Sequence, residues 1–406
     1  MKRLVCLFTL LLLLVSCSNR KESEMYTLQS KQVIDLTDQS ECFDITDRIE
    51  RIDVLNLAVD DNWVHMRYPR MVISDNGYYF LSDRTDYLIG YDKSGGLKFS
   101  KPLKGRGRGE VISVGNMFLR TDTLMIYDRS AGRVLCFDEK GSFLSFQNKN
   151  EVRAEKYYVT DDYCFGLSIF GDNEFDGHYC VKYDNDGSFL DYYLTLPEHY
   201  IGYNGTVGYT DMSYLYHDTL RFIMTHDNNI FSMTKNGIES TFRFRSDREM
   251  PKDYFDGMTG LEKMNPEVFA KTAKEGFTDS FAELMETDKY LAVNFFSDNK
   301  GYTMLYDKYQ NKYGLLLRPD LIFEESIVPE LTTQYIWRYI LFSITRLCVY
   351  DNSIYGCAPY SLYYILSKTE SLHDDKIKAF YIQLKDYVET QKIEPSDVFY
   401  FKMKLK

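Results

Sequence analysis

The chain of 406 residues predicts an all-β fold, a ring of six four-stranded antiparallel blades, on three observations. The first is a recurring unit: an apolar strand ending in an aromatic residue and Asp, a polar turn carrying Gly, and a second strand. Tyr91-Asp92-Lys93-Ser94-Gly95, Phe137-Asp138-Glu139-Lys140-Gly141 and Tyr183-Asp184-Asn185-Asp186-Gly187 are versions of it. Gly supplies the positive φ of a tight hairpin, and Asp or Asn tolerates the same region. The second is the step. Gly95, Gly141, Gly187 and Gly237 follow at 46, 46 and 50 residues, a length that four short strands and their turns fill. The third is composition: 35 Tyr and 27 Phe against 9 Pro favour strands over helices.

At the N-terminus, Lys2-Arg3 precedes the apolar run Leu4–Val15, too short to span a membrane comfortably as a mature helix. The run ends in Leu14-Val15-Ser16-Cys17, which resembles a bacterial lipobox. Residues 1–17 therefore read as a lipoprotein signal peptide ending in the Cys17 that is lipidated. Ser18 rather than Asp follows, so the inner-membrane retention signal is absent and an outer-membrane address is expected. Several acyl chains on one residue hold more firmly than one. Residues 18–32 read as a flexible tether and 33–406 as the propeller.

Val33–Leu57 alternates and suits one or two strands. Arg70–Leu81 is a hairpin through Asp75-Asn76-Gly77. Asn229–Gly237 and Tyr302–Lys308, with Asn311 in the turn, are weaker copies of the unit. The step from Gly237 to Asn311 is 74 residues, so something is inserted, over about 253–287. Asn265-Pro266-Glu267 starts a helix. Val268, Phe269 and Ala273, then Phe281, Leu284 and Met285, predict two short helices broken near Gly276. Tyr290–Phe296 returns to strand. Tyr339–Tyr350 and Ser353–Ala358 form a last hairpin, and Ser371–Thr390 reads as an amphipathic helix carrying Ile377, Phe380, Tyr381, Leu384 and Val388. Asp397–Leu405 is a final strand, expected to pair with the other end of the chain and close the ring.

Three segments carry a resemblance: Gly105-Arg106-Gly107-Arg108-Gly109-Glu110, then Glu286-Thr287-Asp288-Lys289-Tyr290-Leu291, then Leu305-Tyr306-Asp307-Lys308. Their order is similar to that of the six-bladed β-propeller lipoproteins of Bacteroidetes, themselves related in form to NHL-repeat propellers. Arg108 stands where that group has Pro, and Val111 where it has an aromatic residue. The resemblance runs from about Val33 to Lys406. It implies the fold and no particular reaction.

A net charge of −12 argues against a phosphate-tracking nucleic-acid binder, although Lys98–Arg108 is locally basic. Gly105, Gly107, Gly109 and Glu110 do not form a phosphate loop: G-x-G-x-x-G and the Walker Gly-Lys-Ser/Thr are both missing. They read as a structural turn in which Glu110 caps backbone amides. Asp184–Gly187 imitates the start of a calcium loop without its closing Glu. Cys42, Cys136, Cys164, Cys180, Cys348 and Cys357 show no metal spacing, and Cys136, Cys164 and Cys180 read as small buried hydrophobes. His178, His217 and His226, each on or near a strand, would be the metal ligands if they converged in the channel. No G-x-S-x-G elbow appears. No catalytic residue, metal or cofactor is assigned. The Tyr and Phe excess reads as core and inter-blade packing. The expected function is an envelope-anchored binding or scaffolding module for a peptide, glycan or envelope protein. The alternative is a metal-assisted lyase or hydrolase with its site in the channel.

Overall fold

The computed structural model describes residues 28–37, 42–59, 69–82, 87–148, 154–168, 177–196, 213–224, 227–258, 262, 265–317, 333–343, 345–367, 374–393 and 397–406. Cys17 and the signal peptide, His226 and Glu394–Ser396 lie outside them.

The chain opens with β1 (Ser30–Asp35), α1 (Ile45–Arg48) and β2 (Ile49–Val54). Five four-strand units follow in order. Blade I is β3–β6 (Arg70–Ser74, Gly77–Leu81, Tyr87–Tyr91, Leu97–Pro102). Blade II is β7–β10 (Val114–Arg120, Thr123–Asp128, Arg133–Phe137, Phe143–Asn148). Blade III is β11–β14 (Lys156–Val159, Cys164–Leu167, His178–Tyr183, Phe189–Thr195). Blade IV is β15–β18 (Ser213–Tyr216, Thr219–Ile223, Asn229–Thr234, Gly237–Arg245), and after α2 (Pro266–Glu275) blade V is β19–β22 (Asp279–Glu286, Tyr290–Ser297, Lys300–Asp307, Lys312–Leu317). The chain then forms α3 (Thr333–Ser343), β23 (Thr345–Tyr350), β24 (Ser353–Pro359), α4 (Tyr360–Leu366), α5 (Asp375–Gln391) and β25 (Val398–Leu405). Blade VI is β23, β24, β25 and, from the other end of the chain, β2. Ile49 to Val54 pair antiparallel with Leu405 to Phe401, which closes the ring as expected.

The aromatic-Asp unit has a physical reason. Tyr91, Phe137 and Tyr183 are buried, and the Asp after each closes the turn. Asp92 Oδ1 accepts from the Ser94 and Gly96 amides at 2.8 and 3.0 Å, and Asp138 Oδ1 from Lys140 and Ser142 at 2.9 and 2.7 Å. Asp184 Oδ1 takes the Ser188 amide at 2.8 Å. That arrangement is a turn, which is why Asp184–Gly187 only imitates a calcium loop. Gly95 (φ 91°), Gly141 (77°) and Gly187 (87°) take the left-handed positions. Aromatic residues join neighbouring blades: Tyr127 stacks on Tyr157 at 5.3 Å, Tyr179 meets Phe222 at 5.0 Å, Phe244 stacks on Phe281 at 4.4 Å, and Phe80 packs on Tyr400 at 4.7 Å. Each such pair adds about 0.5–1.5 kcal/mol beyond area burial.

The N-terminal stretch is a belt rather than a tether from Ser30 onward. β1 adds a fifth, parallel strand to blade IV, with Ser30 opposite Ser240 and Asp35 opposite Arg245. Cys42 and Phe43 bridge to Tyr313 on blade V, where Gly314 is required because a Cβ would stand 2.6 Å from the Phe43 carbonyl oxygen. β2 completes blade VI, and the Ala58 amide donates to the Gly95 carbonyl of blade I at 2.9 Å. The belt so covers outer edges that would otherwise present unpaired backbone.

Two further expectations change. In the insertion Pro266–Glu275 is helical. Asn265 caps it as expected, Oδ1 accepting from Glu267 N at 2.9 Å, and Gly276 (φ 70°) ends it. Asp279–Glu286, read as a second helix, is the first strand of blade V, with register shifts and a positive φ at Glu283. Those irregularities break the period-2 pattern, so Phe281, Leu284 and Met285 mimic helical spacing. Tyr339–Ser343 is likewise helix, not strand, and the last hairpin begins at Thr345.

The C-terminal helix lies where expected. Asp374 caps α5, accepting from the Lys376 and Ile377 amides at 3.0 and 2.9 Å, and also takes the Trp337 indole proton at 2.9 Å. Ile377, Phe380, Leu384, Tyr387 and Val388 are its buried face. Gln383 accepts the Val54 amide at 3.0 Å, so α5 covers the edge that β2 would expose.

Candidate functional site

Antiparallel alternation gives the ring two unlike faces. The links between the first and second strands, and between the third and fourth strands, of blades I to V span two to five residues. Links at the opposite strand ends reach 33 residues (246–278) and 38 residues (360–397). The short-link side is termed the turn face and the other the connection face.

On the turn face a cleft of about 400 Å³ opens between blades III and IV. Thr160, Asp162 and Tyr163 of one turn form one wall, and Asp218, Thr219, Thr234, Lys235 and Asn236 of two turns form the other. Lys31 and Glu239 complete it, ion-paired at 2.6 Å. Behind it the Lys182 ammonium sits 3.6 Å from the Tyr163 ring centroid and donates to the Lys235 carbonyl at 2.9 Å. Burial holds the Lys182 amine below the usual lysine range, opposed by Asp191. This lysine fastens the Lys235 turn to blade III, so the two walls are held at a fixed spacing.

The turn carrying Asp218 continues into a second cluster at the blade IV–V seam. His217 holds φ 50° in this two-residue turn, a conformation that strains a residue with a Cβ. Its Nε2 lies 3.4 Å from Asp288. Below, Glu286 is almost fully buried and accepts from Arg221 Nε at 3.1 Å, Lys308 Nζ at 3.0 Å and the Tyr214 hydroxyl at 2.9 Å. Lys308 also donates to the Tyr216 hydroxyl at 3.2 Å and lies 4.5 Å from that ring's centroid. Burial, with the Glu286 charge adding to it, pushes the Tyr216 phenol up to about 12, and the same two causes push the Tyr214 phenol up. Both phenols are neutral donors at physiological pH. One carboxylate between two cations is satisfied internally, so this cluster sets the angle between blades and holds the His217 turn.

The same device recurs round the turn face and channel wall. Asn116 exchanges two hydrogen bonds with the Tyr157 backbone at 2.6 and 2.9 Å, and Lys156 reaches Ser213 Oγ at 3.3 Å. Asp288 N donates to Asn352 Oδ1 at 3.1 Å, Tyr350 donates to Asp75, and Arg70 donates to the Gly115 carbonyl. Each of the six seams thus has a polar side-chain link.

Gly105, Gly107, Gly109 and Glu110 lie on the connection face between blades I and II. The Gly107 amide donates to Glu110 Oε2 at 2.7 Å, the capping expected from the sequence. A Cβ on Gly105 would stand 1.9 Å from that oxygen, on Gly107 2.9 Å from Glu110 Cδ, and on Gly109 3.2 Å from Phe143 Cβ. The loop wraps its own carboxylate, which fills the place an anion would take in a phosphate loop. Arg106 and Arg108 point to solvent.

His178 stacks on Tyr192 at 5.3 Å at the connection end of β13, whereas His217 is on the turn face, so these two do not converge. Among the described residues no group of three His, Cys, Asp or Glu side chains could hold a metal ion. The six described cysteines are free, with Cys136, Cys164, Cys180 and Cys357 buried. The cleft itself escaped the sequence reading. Lys31, Tyr163, Asp218 and Lys235 come from three turns and the belt, and meet only once strand roles within each repeat are known. Glu286 and Lys308 were visible as parts of two motifs, without their contact.

A family model, DUF5128, described as 6-bladed beta-propeller, matches residues 20–322. An exported protein of Bacteroides fragilis, so described in its crystal structure, superposes with a TM-score of 0.70 at 15% identity, over 92% of this chain and 100% of that one. A member of the duf4221 family from Bacteroides vulgatus superposes at 0.50 with 10% identity, over 88% and 97%. Virginiamycin B lyase from Staphylococcus aureus superposes at only 0.37 with 12% identity, over 75% and 81%, too distant to carry an argument. No curated protein matches the chain.

Proposed function

We propose, from the premise that this chain belongs to the 6-bladed beta-propeller family whose model spans most of it, that it is an envelope-anchored binding module. It holds a polar ligand, a peptide, a glycan or a loop of an envelope protein, in the blade III–IV cleft. The observation that carries this reading is the cleft itself: three acidic and two basic side chains, neutral hydrogen-bonding groups and one aromatic ring on rigid turns. Such a surface suits a ligand recognised by hydrogen bonds and ring stacking. The lipid on Cys17 anchors the module, at the outer membrane as the absence of Asp after it suggests. Among the described residues no helix is long and apolar enough to cross a membrane. The exported description of the Bacteroides fragilis neighbour is in keeping with an address outside the cytoplasm.

A thermal-shift panel tests this, with envelope and dietary glycans, peptides, and divalent metals with and without EDTA. A ligand at a hundredfold its Kd stabilises by about 2.7 kcal/mol. The expected result is a glycan or peptide shift lost in Tyr163→Ala and Lys235→Glu. A metal shift reversed by EDTA and indifferent to both variants would overturn the binding module in favour of a metal-assisted enzyme.

A further inference from the structure

The entry point of the belt fixes which way an anchored ring faces. β1 runs parallel to β18, and β18 leaves the turn at Lys235-Asn236, so Ser30 stands at the turn-face end and Asp35 at the connection-face end. Lys31 lines the same cleft as the blade III and IV turns, which places the chain's entry on that face independently of strand direction. Leu28 packs at the blade III–IV core just before it.

The belt is also fastened firmly enough to transmit the constraint. Ser30 bonds Ser240 at 2.6 Å and Asn229 at 3.1 Å, Lys31 pairs with Glu239, Gln32 reaches Asn311 at 3.0 Å, and Asp35 pairs with Arg245. From Cys17 to Leu28 the chain has eleven peptide steps, at most about 40 Å when extended.

We infer that lipidation at Cys17 turns the turn face, with its cleft, toward the bilayer and presents the connection face away from it. The inference rests on the Cys17 anchor proposed above. The cleft is then a membrane-proximal surface, suited to a ligand displayed at the bilayer, while the long connections meet whatever approaches from solution. The chain enters the ring on the turn face within about 40 Å of the lipid, which draws that face to the bilayer.

Energy transfer in vesicles tests the orientation. The full lipidated chain, with the exposed Cys42 replaced by Ser, carries a donor dye at Asp122→Cys on the turn face or at Lys274→Cys on the connection face. Phosphatidylethanolamine–phosphatidylglycerol vesicles carry an acceptor on a lipid headgroup. Transfer at least twofold more efficient from position 122 than from 274 is expected. A 20-residue Gly/Ser insertion after Glu24 should erase the difference. Equal or reversed transfer in protein that still floats with the vesicles would overturn the orientation alone. Failure to float, with Cys17→Ala no different from the parent chain, would overturn the anchor and the orientation together.

Discussion

The two faces of this ring are built by different rules. On the turn face, links are short, glycines and Asp caps fix the backbone, and polar side chains tie one blade to the next. On the connection face, long segments leave the ring, and one of them, the Gly105–Glu110 loop, is folded around its own carboxylate and tied to blade II through Arg133, which donates to the Glu110 carbonyl at 2.8 Å. Position on the turn face is therefore over-determined, and a site placed there inherits the rigidity of the ring. The connection face can change in length without disturbing the strands.

That contrast breaks most visibly at Glu286. Glu286→Gln leaves Arg221 and Lys308 without their counter-charge, and a loss of about 3–5 kcal/mol is expected in denaturant unfolding. A loss below 1 kcal/mol would mean that the seam is solvated and the turn face less rigid than described. Gly95→Ala comes next. Its φ of 91° and a Cβ only 1.9 Å from the Asn56 carbonyl oxygen should cost about 2–3 kcal/mol, read from the same unfolding curve.

Asp227, at the connection end of blade IV, sharpens the comparison through pH. Burial pushes its carboxyl up to about 6, against the Asn229 hydrogen bonds that favour the charged form. Below about pH 3 it is protonated folded or unfolded and carries no penalty. As pH rises toward 6 the unfolded chain gives up the proton that the folded chain keeps, so stability falls by roughly 2–3 kcal/mol and then levels. Asp227→Asn should therefore gain on the parent chain between pH 4 and 7 in thermal midpoint. A pH-independent difference would contradict the burial argument. The smallest effect is expected from replacing 259–275, with α2, by a six-residue Gly/Ser linker. Unfolding should stay cooperative and shift by about 1 kcal/mol or less. Extending that deletion through Met285 should abolish the blade, because β19 lies there.

Much of the ring was legible because each repeat carries its own turn chemistry. An Asp that caps and a Gly at positive φ need no tertiary information, so Asp92–Gly96 and Asp138–Ser142 identify blades by themselves. Glu110 was legible for the same reason, since its partner is three residues away. β19 was not. Its register shifts erase the alternation, and helical spacing was the pattern left. The first half of β1, Ser30–Gln32, was read as tether because nothing local distinguishes a strand paired in parallel, some 210 residues away, from a polar linker. The cleft was the least legible. Its charges belong to separate blades and become one surface only when the ring closes.

Hydrogen exchange, with and without the glycan or peptide that shifts the melting point, locates the ligand most directly. Protection is expected at the amides of 160–163, 217–219 and 235–236, with the Gly105–Glu110 loop and residues 246–258 unchanged. Protection confined to those connection-face segments would contradict the account, because the ligand would then sit on the face built to vary.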